Sequence, residues 1–196
     1  MTAPTLATRT FNGVAIPAPG TFVIDPAHTR VGFVARHLMV SKVRGAFTGV
    51  AGEVTIAEDP AQSAVAASIE TGTITTGAPD RDAHLRSPDF LDVAAFPAMT
   101  FRSKAVTSLE GGSFTLLGDL TIKDVTREVT LKVDFEGVAR SPWGQEVVGF
   151  SARTEIDREG FGITWNQALE TGGVLVGKKV TIEIEAEAVR QVPPAE

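Results

Sequence analysis

The feature that most constrains this chain is a two-residue alternation of apolar and polar side chains, broken at short intervals by turn residues. In the last run, Val180, Ile182, Ile184 and Ala186 fall on one side, and Thr181, Glu183, Glu185 and Glu187 on the other. Successive strand side chains point to opposite faces, so this pattern predicts a strand with one apolar and one solvated face. The same reading places Val31, Phe33, Ala35, His37 and Met39 on one face. It also groups Val65, Ala67, Ile69 and Thr71, then Phe114, Leu116, Gly118, Leu120 and Ile122, then Val129, Leu131, Val133 and Phe135. Gly111-Gly112, Lys123-Asp124-Val125-Thr126 and Ser141-Pro142-Trp143-Gly144 supply hairpin turns between runs. The sum is roughly eight strands, the size of a small closed antiparallel barrel. A chain of 196 residues suits one such domain.

One stretch departs from alternation. Between Pro79 and Asp92 the sequence predicts a short helical insertion around residues 80–95, with Asp80 capping a first turn and Ser87-Pro88 opening a second helix. Pro97 ends it before a strand at Ala98–Ser103. Residues 1–20, with three prolines and two glycines, read as a flexible N-terminal arm. The barrel is assigned to 21–190 and a short tail to 191–196. No apolar stretch is long enough for a spanning helix or a secretory core, so stable membrane insertion is not expected. With Met1 as native start, cytoplasmic residence is expected.

Charge and composition remove several functions. A net charge of −6 disfavours both nucleic acid and an anionic membrane surface, and no cationic stripe is read in the sequence to offset it. The absence of cysteine excludes disulfides, thiolate metal sites and a thiol nucleophile. His28 and His37 are nine residues apart, on opposite faces of any regular strand, and no metal-spacing motif includes them or His84. No metal site is therefore assigned. His28 reads as bonding a turn at the barrel's end, and His37 as a polar point near the interior. Asp82, His84 and Ser87 crowd one helical segment without a nucleophile elbow, so helix capping explains them better than a catalytic triad. No catalytic residue is assigned.

The interior admits two readings. Ala35, Ala67, Gly118, Ala152 and Ala186 are small for inward positions, as a lumen would require. Equally, they could face bulky partners across a filled core, and a one-residue slip would exchange the faces.

Several motifs in fixed order resemble those of YceI-family proteins. They begin with Asp25-Pro26-Ala27-His28-Thr29-Arg30-Val31-Gly32-Phe33, Arg36-His37-Leu38 and Gly45-Ala46-Phe47. They continue with Arg81 to Asp92, Phe96-Pro97-Ala98-Met99-Thr100-Phe101 and Gly118 to Thr126. Pro142-Trp143-Gly144, Gly149-Phe150, Phe161-Gly162-Ile163 and Gly177 complete the set. The resemblance spans about residues 21 to 190. It implies a lipocalin-like extended barrel that binds a polyisoprenoid, an isoprenoid quinone or a comparable long-chain lipid, with no other cofactor. It also raises the prospect of a homodimer. On that reading Phe33, Met39, Phe47, Ile69, Phe101, Leu120, Phe150 and Trp165 are the candidate wall. His37 is then a polar contact, and Phe90 a closure at one end. The alternatives are stress-related sequestration of fatty-acid-like or foreign hydrophobic compounds and, more distantly, an enzyme acting on bound lipid.

Overall fold

The computed structural model describes residues 6–170 and 172–192; the first five residues of the arm and the last four of the tail lie outside them. Twelve strands, β1 to β12, and one α-helix follow in chain order. They are β1 (Thr8–Phe11), β2 (Val14–Pro17), β3 (Gly20–Ile24), β4 (Arg30–His37), β5 (Ser41–Phe47), β6 (Val50–Ile56) and β7 (Ala64–Glu70). After helix α1 (Pro79–Arg86) come β8 (Ala98–Glu110), β9 (Ser113–Ile122), β10 (Val125–Arg140), β11 (Glu146–Asp157) and β12 (Val176–Arg190).

Ten of these strands form one antiparallel sheet that closes on itself through β11 and β12. The last strand holds the circle together: Ile156↔Val180 to Val147↔Val189 join it to β11 along one edge. Its other edge is shared end to end, Arg190↔Phe22 to Ala188↔Ile24 with β3, then Glu185↔Arg30 to Val176↔His37 with β4. Thus β3 and β4 are two halves of one bent strand, as are β5 and β6, and the wall counts eight staves. The ring closes through β6, β3, β12 and β11, while the outer edge of β5 carries, among the described residues, the isolated bridge Ala46↔Thr75. The strand expected at Ala98–Ser103 runs on to Glu110, with a bulge between Ser103 and Ala105.

The bend between β3 and β4 contains His28. The sequence reading has this histidine bonding a turn, and it does so with Asp25, beside Glu187 near the C-terminal end of β12, which runs unbroken past the bend. Asp25 accepts hydrogen bonds from the Ala27 N–H (2.8 Å) and pairs with His28 Nδ1 (2.7 Å), and Glu187 lies 3.8 Å from the same nitrogen. Behind them, the buried Thr29 hydroxyl donates to the Glu187 carbonyl and accepts from its N–H, both at 3.2 Å, replacing the rungs lost at the bend.

The arm is not wholly irregular. Asn12 (φ 47°) and Gly13 (φ 81°) make a left-handed two-residue turn that pairs β1 with β2. Arg9 fastens this hairpin to the carbonyls of Ala57 and Glu58, and Asn12 donates to the Leu109 carbonyl at 3.2 Å. The Asn-Gly dipeptide was the available signal. The expected second helix is also absent: Ser87 closes α1, its N–H reaching the His84 carbonyl, and turns follow. The residue before α1 is Ala78 rather than a capping Asp80. No helix among the described residues is long and apolar enough to cross a membrane.

The Asp25 contact raises the His28 pKa above its ordinary 6.5, helped by the charge of Glu187. The hydrogen bonds from His28 and the Ala27 N–H lower that of Asp25 below 3.8. A raised histidine stabilises below its unfolded value and loses that contribution as pH climbs through the folded one; a depressed aspartate stabilises above its unfolded value. The pair is therefore fully engaged between pH 3.8 and 6.5. In an NMR titration His28 is expected above 6.5, and Asp25→Asn should bring it back towards that value. An unchanged midpoint would show that the contact does not persist in solution.

Candidate functional site: an apolar cavity along the barrel axis

The lumen face of the staves encloses a cavity of about 320 Å³. Its walls are hydrocarbon almost throughout. Val31, Val65, Leu116, Leu131 and Ile184 are typical, and Thr29, Ser63, Thr154 and Arg158 are the polar residues along it. The predicted phase holds throughout the last run, where Val180, Ile182, Ile184 and Ala186 all line the cavity, and along most of the others, from which His37, Met39, Thr71, Gly118 and Phe135 fall away.

Two glycines shape the bore. Phe33 lies opposite Gly45, and its ring tip occupies the space a Cβ at Gly45 would need, 2.4 Å from that position. Phe101 does the same over Gly118, again at 2.4 Å. Each ring is thereby drawn against the wall instead of projecting across the lumen, a cross-strand aromatic–glycine pairing. Gly118 was expected to widen the bore directly; it is a seat for Phe101 and does not line the cavity. The four alanines at 35, 67, 152 and 186 do line it.

Each end has its own closure. Near the β1–β2 hairpin, Phe22, Val148 and Ala188 form a fully buried plug. At the other end the segment around α1 brings Leu85, Phe90 and Leu91 over the lumen. Asp82 fixes it there: its buried carboxylate accepts from the Thr76 N–H (2.8 Å) and the Thr75 hydroxyl (3.2 Å). Burial pushes the Asp82 pKa up, but the hydrogen bonds from Thr76 and Thr75 outweigh it and the net shift is downward. Arg86 ties the other flank, donating to the carbonyls of Gly72 (2.9 Å) and Ile74 (2.7 Å). His84 bonds Asp89 at 2.8 Å, and the Ser87 hydroxyl donates to the His84 carbonyl at 2.7 Å. Asp82, His84 and Ser87 therefore each serve the local fold and do not converge as a triad.

Arg158 is the residue that alternation could not reveal. It follows β11 in a 3-10 turn and is only 4% exposed, yet no carboxylate pairs with it among the described residues. Its guanidinium donates to four main-chain carbonyls: Ile163 (2.7 Å), Trp165 (2.9 Å), Gly177 (3.0 Å) and Val176 (3.3 Å). Burial lowers its pKa. These bonds pin the 159–177 segment over the lumen's end and satisfy carbonyls that no strand partner reaches.

Of the ten candidate ligand contacts, Phe33, Phe47, Ile69, Phe90, Phe101, Leu120 and Phe150 lie on the cavity. The other three do not. His37 is the last residue of β4, opposite Ser41 and Val176, beyond the cavity's reach. Met39 is 52% exposed in the β4–β5 turn, where Leu38 (φ 52°) and Met39 (φ 61°) leave the strand and alternation no longer applies. Trp165 packs outside the lumen against His84 (4.6 Å between ring centroids) and Phe90 (5.3 Å). Ile74, Leu91 and Ile163, which do line the cavity, lie in loops where no period marks them.

Fold and site together define a closed antiparallel barrel with an apolar internal cavity. The chain belongs to the YceI-like domain family, whose model matches residues 22–188. A UPF0312 protein of Staphylococcus aureus is 42% identical over 171 residues, covering 85% of this chain and 95% of the relative. Among solved structures, Burkholderia cenocepacia BcnA superposes with a TM-score of 0.72 at 23% identity, covering 84% of this chain and 99% of its own. A Campylobacter jejuni YceI protein gives 0.69 at 26% identity, covering 80% and 90%. A polyisoprenoid binding domain from Saccharophagus degradans gives 0.67 at 9% identity, covering 87% and 98%.

Two substitutions test this construction. Gly45→Ala meets only side-chain atoms, Phe33 at 2.4 Å and Thr76 at 2.8 Å, so it should swing the Phe33 ring into the bore and lower uptake of an apolar fluorescent probe at little cost in stability. Unchanged uptake would mean the ring does not set the bore. Arg158→Met takes a donor from four carbonyls, of which Val176 keeps another in Asn166 Nδ2 (2.8 Å), and should cost on the order of 3 kcal/mol or more in chemical denaturation.

Proposed function

We propose that this protein binds a long apolar lipid, a polyisoprenoid or isoprenoid quinone, within the barrel for transport or storage. The observation that carries the reading is the hydrocarbon-walled cavity of about 320 Å³. Left empty, such a cavity forfeits the packing contacts its lining would otherwise make. A dry apolar cavity also offers water no partners. An apolar guest removes the penalty and gains roughly 25 cal/mol for each Å² it buries. A guest of hydrocarbon character suits walls with so few polar groups, and its selection rests on bore and length. Likeness to the polyisoprenoid binding domain supports the isoprenoid class.

The test is solvent extraction of the purified protein followed by mass spectrometry and reloading. A prenyl lipid should be recovered in near-stoichiometric amount. The extracted protein should melt lower by about 10 °C or more, with recovery on reloading by a long-chain prenol. Acyl lipids or assorted hydrophobes in place of prenyl lipid would favour general sequestration. Extraction that yields no lipid and leaves melting unchanged would overturn binding altogether. Turnover of the bound lipid would point instead to the enzyme reading.

A further inference from the structure

The turn joining β4 to β5 is at odds with its position. Leu38, Met39 and Val40 are 38%, 52% and 82% exposed, three consecutive aliphatic residues at a hairpin tip. Leu38 and Met39 both hold left-handed φ angles, 52° and 61°, in the three-residue loop between His37 and Ser41, a conformation that Gly and Asn adopt most readily. Here the chain spends exposed aliphatic surface and backbone strain together, and neither helps the barrel fold.

The charges around this tip are one-sided. Between Asp25 and Glu53 the sequence contains Arg30, Arg36, Lys42 and Arg44 and no acidic residue, although the whole chain carries −6. Arg36 and Lys42 face each other in register directly below the tip, with Val34 and Arg44 as the next outward rung. Arg44 pairs with Glu183 at 3.3 Å, whereas Arg36 and Lys42 have no ion-pair partner among the described residues. The adjoining 166–175 segment, which meets the tip through the Leu38 N–H and the Leu175 carbonyl (2.9 Å), adds one acid, Glu170.

The tip also stands at a particular end of the barrel. His37 pairs with Val176 and Ala35 with Val180, and Ala35, Val176 and Val180 line the cavity. The exposed aliphatics therefore rise from the same end that α1 and the Arg158-held segment close. The opposite end has its own exposed aromatic, Trp143 (83%), in the β10–β11 turn, but there it follows the buried plug.

We propose that Leu38, Met39 and Val40, with Arg36 and Lys42 beneath them, form a docking surface for a lipid bilayer bearing anionic headgroups. The aliphatic tip enters the interface while the cations meet the headgroups, a short-range attraction that the net negative charge of the rest of the molecule does not cancel across a Debye length. Docking sets the α1 end of the cavity against the membrane. The global charge argued against such a surface because it averages over the molecule; the hairpin concentrates what little positive charge there is.

The experiment is co-sedimentation of the full chain with vesicles, either phosphatidylcholine alone or equal parts phosphatidylcholine and phosphatidylglycerol. The protein should partition onto the anionic vesicles and leave them as salt is raised. Val40→Asp should weaken this by about tenfold, the equivalent of one aliphatic side chain withdrawn from an apolar phase. The double change Leu38→Asn with Met39→Gly should also abolish partitioning while raising the melting temperature, which separates docking from folding. Trp143→Asp should partition like the unaltered protein. Failure of the unaltered protein to bind anionic vesicles, or equal binding by Val40→Asp, would overturn the proposal. So would loss through Trp143→Asp alone, or a concentration-dependent dimer broken by Val40→Asp with vesicle binding intact. Lipid content, measured by mass spectrometry on the same samples, tests the cavity's cargo separately, since partitioning requires none.

Discussion

The structure depends on β12 finding hydrogen-bonding partners along both edges. A strand of 15 residues at the chain's end has to be matched by β11 on one side and by β3 and β4 in succession on the other. No single early strand is straight enough to do this, so the chain bends at Asp25–Thr29 and lends side-chain groups to the gap. The Thr29 hydroxyl, exchanging bonds with Glu187, stands in for missing backbone rungs. Closure then creates an inside, and every period-two run acquires a lumen face because there is only one inside to share.

That inside is not filled by its own side chains. A packed barrel of this size would bring large residues from all staves to the axis. Here four alanines withdraw from it, and Phe33 and Phe101, which could have crossed it, lie over glycines at the wall. The ends are where bulk is spent, on the Phe22–Val148–Ala188 plug and on Leu85, Phe90 and Leu91. The α1 end is held mainly by polar groups reaching main-chain atoms from Asp82, Arg86 and Arg158. Polar clamps hold loops that have little apolar surface of their own to bury.

The site was legible where strands supply it. Phe47, Ile69, Leu120 and Phe150 follow from alternation because a strand's period survives into the closed barrel unchanged. It stopped being legible at strand ends. His37 and Met39 continue the phase of Phe33 and Ala35 on paper, yet one ends its strand beyond the cavity and the other turns left-handed into solvent. Trp165 and Ile163 sit in one loop whose carbonyls Arg158 holds at both residues, yet Ile163 lines the lumen and Trp165 does not. A buried arginine satisfied by four carbonyls has no sequence signature, since its partners are main-chain atoms that every residue carries.

The sequence by itself determined the barrel: alternation, turn residues and ordered motifs leave one fold class, and they do so because side-chain direction in a strand is fixed locally. It left lumen and packed core open. Only the tertiary structure decided between them, because a cavity depends on which side chains meet across some ten ångströms of space, and not on their neighbours in the chain. The same holds for the aliphatic tip at residues 38–40. Its residues look like more strand until the turn's φ angles and the two cations facing each other below it are seen together.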